Sequence, residues 1–535
     1  MIMKLEYLHD QERIKIYPEN STELRGIKNY LNRHPDNYMF DPTFKMKLWD
    51  GKRTQYKKED DTIPMGLWKE AFKCCEEFGY PFNFINKKEF PINRDVKKKE
   101  FEQFITDFFT GYKFMPRDYQ IDAAWQIIKN RYCNISVATS GGKTLIYSMV
   151  LFFLLHKYKN KKFLLVVPSK TLVTQFFDDV LEFNWKNQID LNPQEIYADN
   201  EKPRTYNVNR ESNLIISTFQ SLIYEDKKPI REYVKNGKKE FIELTKEEVA
   251  EYKLAKKKIK YKTKIILNYP KEWYKQFFSV TCDEAHKSAA DSYKKILKYT
   301  LKNAYYRWGM SGSFPKEDTY EMMEIMAKTG PIVSVVKAKQ LMDEGYITKV
   351  KIKGILMQHN DFEFADLLET VASADKKSAY DLEVAKIQES EERLGVISQI
   401  VGQCKSNTLV LFHNTEYGQR IFEHLKEKNS DKDFYFIDGS VKNNATKKNI
   451  ENNRNFIKKE MNKTDGNVKV LVASFGTLST GVSISAITNV IFTQSFKKEQ
   501  VIIQSIGRAL RLHATKDMAY VFDLVDVFNQ DDFAR

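Results

Sequence analysis

Cysteine is scarce in this 535-residue sequence, and the five present, Cys74, Cys75, Cys133, Cys282 and Cys404, form neither a CxxC pair nor a Cys/His cluster with zinc spacing. Their odd number and scatter exclude a disulfide framework, and a reducing cytoplasm is the expected location. Long apolar runs are lacking as well. The most apolar stretch, 149–155, falls far short of the roughly 20 residues needed to cross a bilayer, so no membrane partner is expected. Residues 1–10 carry charges where a signal peptide would carry its apolar segment. With 14 prolines, 42% hydrophobic and 30% charged residues, the composition is neither fibrous nor disordered.

What is present is length and positive charge. A chain of 535 residues is too long for one core and suits roughly three domains of about 150 residues each. Lysine and arginine outnumber the acids 86 to 72, a formal charge of +14. Basic side chains that meet phosphates release condensed counterions, so the excess suits a polyanionic partner. The lysines are spread along the chain, and solvated surfaces would account for them equally well.

Patterning divides the chain in three. Residues 1–95 alternate short apolar runs with turn signals such as Asp41-Pro42 and Asp50-Gly51, which predicts a small α+β domain. From 101 to 340, apolar runs at 134–138, 162–167, 213–217 and 278–282 alternate with helical patterns and read as buried parallel strands. From 341 to 535 a second series follows, with strands at 408–412, 434–437, 468–473 and 489–492. Repeated βα units predict right-handed crossovers and two tandem, doubly wound α/β lobes. Between 224 and 269 lies a lysine- and glutamate-rich segment with little strand character, expected to be a charged hairpin or helix; a solvated excursion and a DNA-contacting surface are both open there.

Three motifs carry chemistry. Thr139-Ser140-Gly141-Gly142-Lys143-Thr144 follows a predicted strand and opens a helix, the setting of a phosphate-binding loop, although Val137 stands where the first glycine is usual. There, backbone amides and the helix dipole cradle phosphates, Lys143 neutralises the β- and γ-phosphates, and the Thr144 hydroxyl can ligate magnesium. Asp283-Glu284-Ala285-His286 ends an apolar strand, so that Asp283 can hold the metal while Glu284 activates the attacking water. In Gln504-Ser505-Ile506-Gly507-Arg508-Ala509-Leu510-Arg511 the two arginines share a helix face and can stabilise charge on a transferring γ-phosphate.

These sets resemble the motifs of superfamily 2 helicases, and lesser motifs occur in the expected order. Arg117 to Gln120 resembles the adenine-reading motif. The segment 168–175, opening on Pro168 and Ser169, and the segment 217–221, with Thr218 and Gln220, resemble the motifs that grip one strand's backbone. Ser311-Gly312-Ser313 resembles the motif that links hydrolysis to strand grip, a coupling in which His286 shares. On the second lobe 410–414 resembles motif IV and 474–483 resembles motif V, with Ser474 and Thr477 toward nucleic acid and Gly481 and Gln504 toward nucleotide.

Trp49-Asp50-Gly51-Lys52, the variant phosphate loop and the SGS motif are together similar to the UvsW helicase family of tailed phages. The resemblance implies RecA-like lobes, ATP and Mg2+ as cofactors, and an ATP-dependent DNA helicase of the host cytoplasm. Its implied substrates are single-stranded and branched DNA, forks, Holliday junctions and R-loops with their RNA strand, in recombination and repair. An RNA helicase, or a DNA-stimulated ATPase that remodels or anneals without unwinding, would carry the same motifs. Trp49 among Lys45, Lys47, Lys52 and Arg53 is the candidate base-stacking residue of residues 1–95, with Phe40 and Phe44 read as core. Because the hydrolysis motifs all lie beyond residue 100, residues 1–95 are expected to be separable from a folded motor.

Overall fold

The computed structural model describes residues 2–8, 12–86, 88, 90–197, 209–235, 238–254, 259–289, 291–300, 303–358, 376–439, 454–463, 465–475, 484–494, 502–503, 505–507, 511–513 and 516–527. The chain forms two compact units, one from residues 1–136 and 143–335, the other from 336–535 with the short segment 137–142.

The first unit opens on an antiparallel pair, β1 (Met3–Leu8) and β2 (Arg13–Tyr17), and includes the two-residue ladder of β3 (Asn32–Arg33) with β4 (Arg53–Thr54). β5 (Thr62–Pro64) extends the pair beside β2, and β6 (Phe82–Phe84) runs parallel to β1. Alternation along β1 and β2 buries Met3, Leu5, Tyr7, Ile14 and Ile16 on one face, beside buried residues of the helices Ser21–Tyr30 and Trp68–Glu77. The α+β reading of this region holds.

Seven strands follow in a second sheet: β7 (Tyr132–Val137), β8 (Lys162–Val167), β9 (Pro193–Ile196), β10 (Leu214–Thr218) and, after an inserted sheet, β14 (Phe277–Asp283), β15 (Tyr306–Ser311) and β16 (Ile332–Val336). Their order is β16-β7-β15-β14-β8-β10-β9, and the run from β7 to β9 is parallel at every pairing. The helix Lys143–Lys157 is buried on all sides from Leu145 to Leu155, as a helix apolar all round must be. The 224–269 segment departs from its expected weak strand character. It holds a three-stranded antiparallel sheet, order β12-β11-β13, of β11 (Ile223–Lys235), β12 (Lys238–Glu243) and β13 (Lys260–Leu267), with the helix Lys246–Leu254 between the last two. Cross-strand pairing supplies what lysine- and glutamate-rich sequence lacks in intrinsic propensity.

The small N-terminal sheet is not independent of the lobe that follows. Its buried residues form one cluster with Tyr132 of β7 and with Met322, Met323, Ile325 and Met326 of the helix Tyr320–Thr329. Both carboxylate oxygens of Glu12 pair with the buried guanidinium of Arg307, which also lies 4.3 Å from the Tyr132 ring centroid. Tyr320 N–H donates to His34 O at 3.0 Å, and Gln55 donates to the Tyr320 hydroxyl at 2.9 Å. The expected separability of residues 1–95 therefore fails on packing: their removal would uncover an apolar helix face and orphan a buried arginine.

In the second unit all five pairings of a six-stranded sheet are parallel, in the order β17-β22-β21-β18-β20-β19. These strands are β17 (Lys349–Gln358), β18 (Thr408–Phe412), β19 (Asp433–Ile437), β20 (Lys469–Ser474), β21 (Asn489–Phe492) and β22 (Met518–Val527). The fully buried Arg393 ties a covering helix to this sheet, pairing with Asp526 and donating from Nε to Thr493 O at 2.8 Å. Both lobes are thus the doubly wound sheets that the sequence predicts.

Two changes test the shared core of the first unit. Glu12→Ala should lower the free energy of unfolding by about 3 kcal/mol, because it leaves Arg307 charged and buried without its partner; a urea titration that shows no loss would refute this. A fragment beginning at residue 101 should fail to unfold cooperatively or should aggregate, which calorimetry and light scattering will read.

Candidate functional site

Parallel strands bring their carboxyl ends to one edge of a sheet, where open α/β sheets bind ligands. In the first unit β7 ends at Val137 before the phosphate loop, β14 at Asp283, β15 at Ser311, β8 at Val167 before Pro168, and β10 at Thr218. Motifs separated by up to about 170 residues of sequence are so assembled along that edge.

The loop between β7 and the helix beginning at Lys143 turns through left-handed backbone at Ser140 (φ 69°) and Gly142 (φ 80°). Glycine takes such a conformation without strain, whereas serine takes it only where the surroundings enforce it. A turn of this kind at the start of a helix is the setting in which backbone amides receive phosphate oxygens.

Around the DEAH carboxylates the described side chains form one network. Lys143 Nζ lies 3.3 Å from Glu284 Oε1. Ser311 Oγ donates to Glu284 Oε2 at 3.2 Å and accepts from Ser313 N–H at 3.1 Å, and His286 Nδ1 sits 2.8 Å from the same hydroxyl. With the hydroxyl proton given to Glu284, Nδ1 is the protonated ring nitrogen. Glu284 itself occupies left-handed backbone (φ 49°), a conformation costly for a non-glycine residue and typical of functional positions. Burial disfavours its charge, but Lys143 and His286 outweigh burial and hold the carboxyl well below the usual range. Burial likewise opposes the Lys143 ammonium, and Glu284 and Asp283 keep its pKa raised. Asp283 goes the other way, pushed up by burial and by the neighbouring Glu284 charge.

Asp283 Oδ1 is buried and has no hydrogen-bond partner among the described residues. An orphaned carboxylate oxygen at this edge fits a cation held by one protein carboxylate and by phosphate oxygens. No group of three or more His, Cys, Asp or Glu side chains placed to hold a metal ion occurs among the described residues.

One contributor was not read from the sequence. Gly309 of β15 faces Asn134 and Ala285, and a Cβ there would lie 2.3 Å from Asn134 Oδ1 and 2.5 Å from the Ala285 methyl. Only glycine lets the DEAH turn pack against β15. Its sole signal was a glycine between Trp308 and Met310, since a glycine inside a strand marks a close approach.

The remaining candidates divide. Gln120 is buried, and its Oε1 accepts from Arg117 N–H at 2.9 Å, so the pair caps the helix Asp118–Asn130. Pro168 and Ser169 follow β8, with Ser169 Oγ accepting from Leu172 N–H at 3.4 Å. Thr218 is turned inward onto Ser221 at 2.9 Å, and of the 218/220 pair Gln220 is the exposed member. Trp49, the candidate base-stacking residue, is half-buried. Its Nε1 donates to Lys52 O at 2.8 Å, and the Arg53 guanidinium covers the ring at 5.5 Å. Phe40, read as core, is 60% exposed beside Met39, Met46 and Leu48, while Phe44 packs edge-on to Tyr38. In the second unit Ser474 ends β20, and the Arg511 carbonyl accepts from Thr348 at 3.0 Å. Thr477, Gly481, Gln504 and Arg508 lie outside the described residues.

Comparison with known proteins agrees with this arrangement. Residues 3–85 match the family described as DNA helicase UvsW, N-terminal; 113–316 match type III restriction enzyme, res subunit; and 392–513 match the helicase conserved C-terminal domain. Over 529 residues the chain is 26% identical to the ATP-dependent DNA helicase UvsW of Enterobacteria phage T4, covering 97% of this chain and 90% of that protein. It is a superfamily 2 helicase resembling UvsW. The crystal structure of T4 UvsW aligns with 98% of this chain over 90% of its own length, at 23% identity and a TM-score of 0.45. The DUF1998 helicase MrfA, solved bound to DNA, aligns over 82% of this chain and 52% of its own at a TM-score of 0.51 and 12% identity, a likeness of fold alone. The UvsW N-terminal match falls within the first compact unit, and so does the res-subunit match apart from residues 137–142.

The network predicts separable losses. Lys143→Ala should abolish ATP binding, whereas Glu284→Gln should bind ATP and fail to turn it over. Gly309→Ala should cut turnover at least about tenfold by displacing Ala285, at a cost near 1.4 kcal/mol in the barrier. Nucleotide-binding fluorescence and steady-state phosphate release measure both quantities, and wild-type turnover by Glu284→Gln would remove that residue from its role.

Proposed function

We propose that the chain is an ATP- and Mg2+-dependent DNA helicase that remodels branched DNA, forks, four-way junctions and R-loops, in the cytoplasm of a phage-infected host. The observation that supports this reading most is the Lys143–Glu284–Ser311–His286 network, which joins the phosphate loop, the candidate base and the strand-coupling motif within hydrogen-bond reach. Likeness to UvsW over 97% of the chain supports the DNA substrate.

In this reading Lys143 neutralises the β- and γ-phosphates and Glu284 orients and deprotonates the attacking water. Magnesium, held by Asp283 and Thr144, would neutralise the phosphate charge that develops during transfer. Arg508 and Arg511 stabilise that charge from the second lobe. Gln120 and Arg117 meet the adenine, with Gly481 and Gln504 beside the nucleotide. Pro168, Ser169, Gln220, Ser474 and Thr477 face the nucleic-acid strand. The hydroxyl of Ser311 reports the charge of Glu284 to the backbone at Ser313, so that hydrolysis alters the loop entering the helix Tyr320–Thr329. That helix shares its core with the N-terminal sheet.

A panel of forked, four-way, R-loop and linear DNA, with a matched RNA duplex, tests the reading. ATP-dependent conversion of the branched DNA supports it; conversion of RNA duplex alone, or DNA-stimulated ATPase without conversion, selects one of the two other readings. Arg508→Ala should reduce DNA-stimulated turnover by roughly 10³ to 10⁵ with DNA affinity nearly intact. A variant that instead lost DNA binding would move Arg508 onto the nucleic acid.

A further inference from the structure

The inserted sheet is rooted in the buried core of the first lobe. β10 ends at Thr218, one helical turn (Phe219–Leu222) carries Gln220, and β11 begins at the next residue. At the return, Asn268 Nδ2 donates to both Ser221 O (2.9 Å) and Ile223 O (3.1 Å), clamping the two legs. Leu222, Ile223, Tyr269, Tyr274 and Phe277 bury the root in the lobe's core. Beyond it β11 and β13 pair over eight residues, from Ile223↔Leu267 to Ile230↔Lys260, and β12 lengthens the sheet along the rest of β11.

Paired residues of an antiparallel ladder share a face. Lys260, Lys262 and Lys264, opposite Ile230, Lys228 and Asp226, therefore stand in one row, spaced by about 6.8 Å at the usual strand rise. All three are exposed, as is every residue from Lys260 to Lys264. The same face carries the exposed rings of Tyr224 and Phe241, the latter 5.8 Å from Lys262 Nζ, while Glu243 is engaged by Lys228 at 2.6 Å. From 223 to 267 the sequence holds fourteen lysines and arginines against eight acids.

We propose that this face is a second nucleic-acid site, in which Lys260, Lys262 and Lys264 grip successive phosphates of one strand of a DNA duplex arm. The step between alternate residues of a strand is close to the spacing of phosphates along one DNA strand, and a row of ammonium groups matches it without reading sequence. The surface stands one helical turn from Gln220, so that a strand held at the motor's motif has a fixed neighbour for its continuing arm. Lysines on an edge strand also guard against edge-to-edge pairing, but that role calls for no aromatic rings on the same face.

The inference rests on the DNA-helicase reading, and its test is made on binding. The full chain with Lys260→Gln, Lys262→Gln and Lys264→Gln is titrated with a forked DNA across a range of salt. Each lost phosphate contact lowers the slope of log K against log salt by about 0.9, so a fall of about 2 to 3 is expected, with weaker binding at low salt. ATPase without DNA should be unchanged, and the triple Lys→Arg variant should restore the slope. A slope equal to that of the parent overturns the proposal, as does an equal fall in a control carrying Lys426→Gln, Lys428→Gln and Lys459→Gln. Self-association of the Gln variant with an unchanged slope would assign the lysines to edge protection instead. Failure of the parent to convert branched DNA would sink the functional reading while leaving the salt slope to decide this one.

Discussion

A parallel sheet points every strand the same way, and the chemistry of this chain depends on that constraint. Five motifs of the first lobe, scattered from the phosphate loop to Ser311, share an edge because β7, β15, β14, β8 and β10 are parallel neighbours. Reversing one strand would carry its motif to the far side of the sheet. The second unit obeys the same rule in all five of its pairings, so Ser474 and the segment after Phe412 also stand at carboxyl ends.

Strand polarity delivers the residues, and local strain then aims them. Glu284 and Ser140 both hold left-handed backbone without being glycine, and both sit where phosphate chemistry is expected. Such conformations persist only when packing over-determines them. At Glu284 the determinants are visible: the ammonium of Lys143, the hydroxyl of Ser311, and a β15 surface kept flat by Gly309. The same β15 carries Arg307 two residues earlier, so the strand that supports the DEAH turn also anchors the N-terminal sheet through Glu12.

Much of this was legible in the sequence. Apolar runs gave β7, β8, β10 and β14 to within two residues at either end, and β18 and β21 to the residue, because buried parallel strands are continuous in hydrophobicity. Lys143, Asp283, Glu284, His286, Ser311 and Ser313 were named from motif context, and the structure places them at one edge, most of them in one network. β15 escaped notice because Tyr-Arg-Trp-Gly-Met-Ser is no apolar run; its arginine is tolerated inside only through a carboxylate 295 positions away. The inserted sheet was legible only as a charged hairpin or helix, because its strands are held by each other and not by burial. The tie of the Trp49 indole nitrogen to Lys52 was not legible either, since an aromatic among lysines does not announce which backbone carbonyl it meets.

The reach of the Glu12–Arg307 pair has a consequence for how the chain comes into being. β7 lies between β15 and β16, and Glu12 waits for Arg307, so neither the N-terminal sheet nor the first strand of the lobe can settle until residues beyond 307 leave the ribosome. At about 5 to 20 residues per second, that delay is roughly 15 to 60 s. For about the latter half of it, roughly 8 to 30 s, the helix Lys143–Lys157, apolar on every side, has no sheet to cover it. Nascent copies on neighbouring ribosomes would present the same helix to one another, so the yield of folded protein should fall as translation becomes crowded and recover when a chaperone shields that segment.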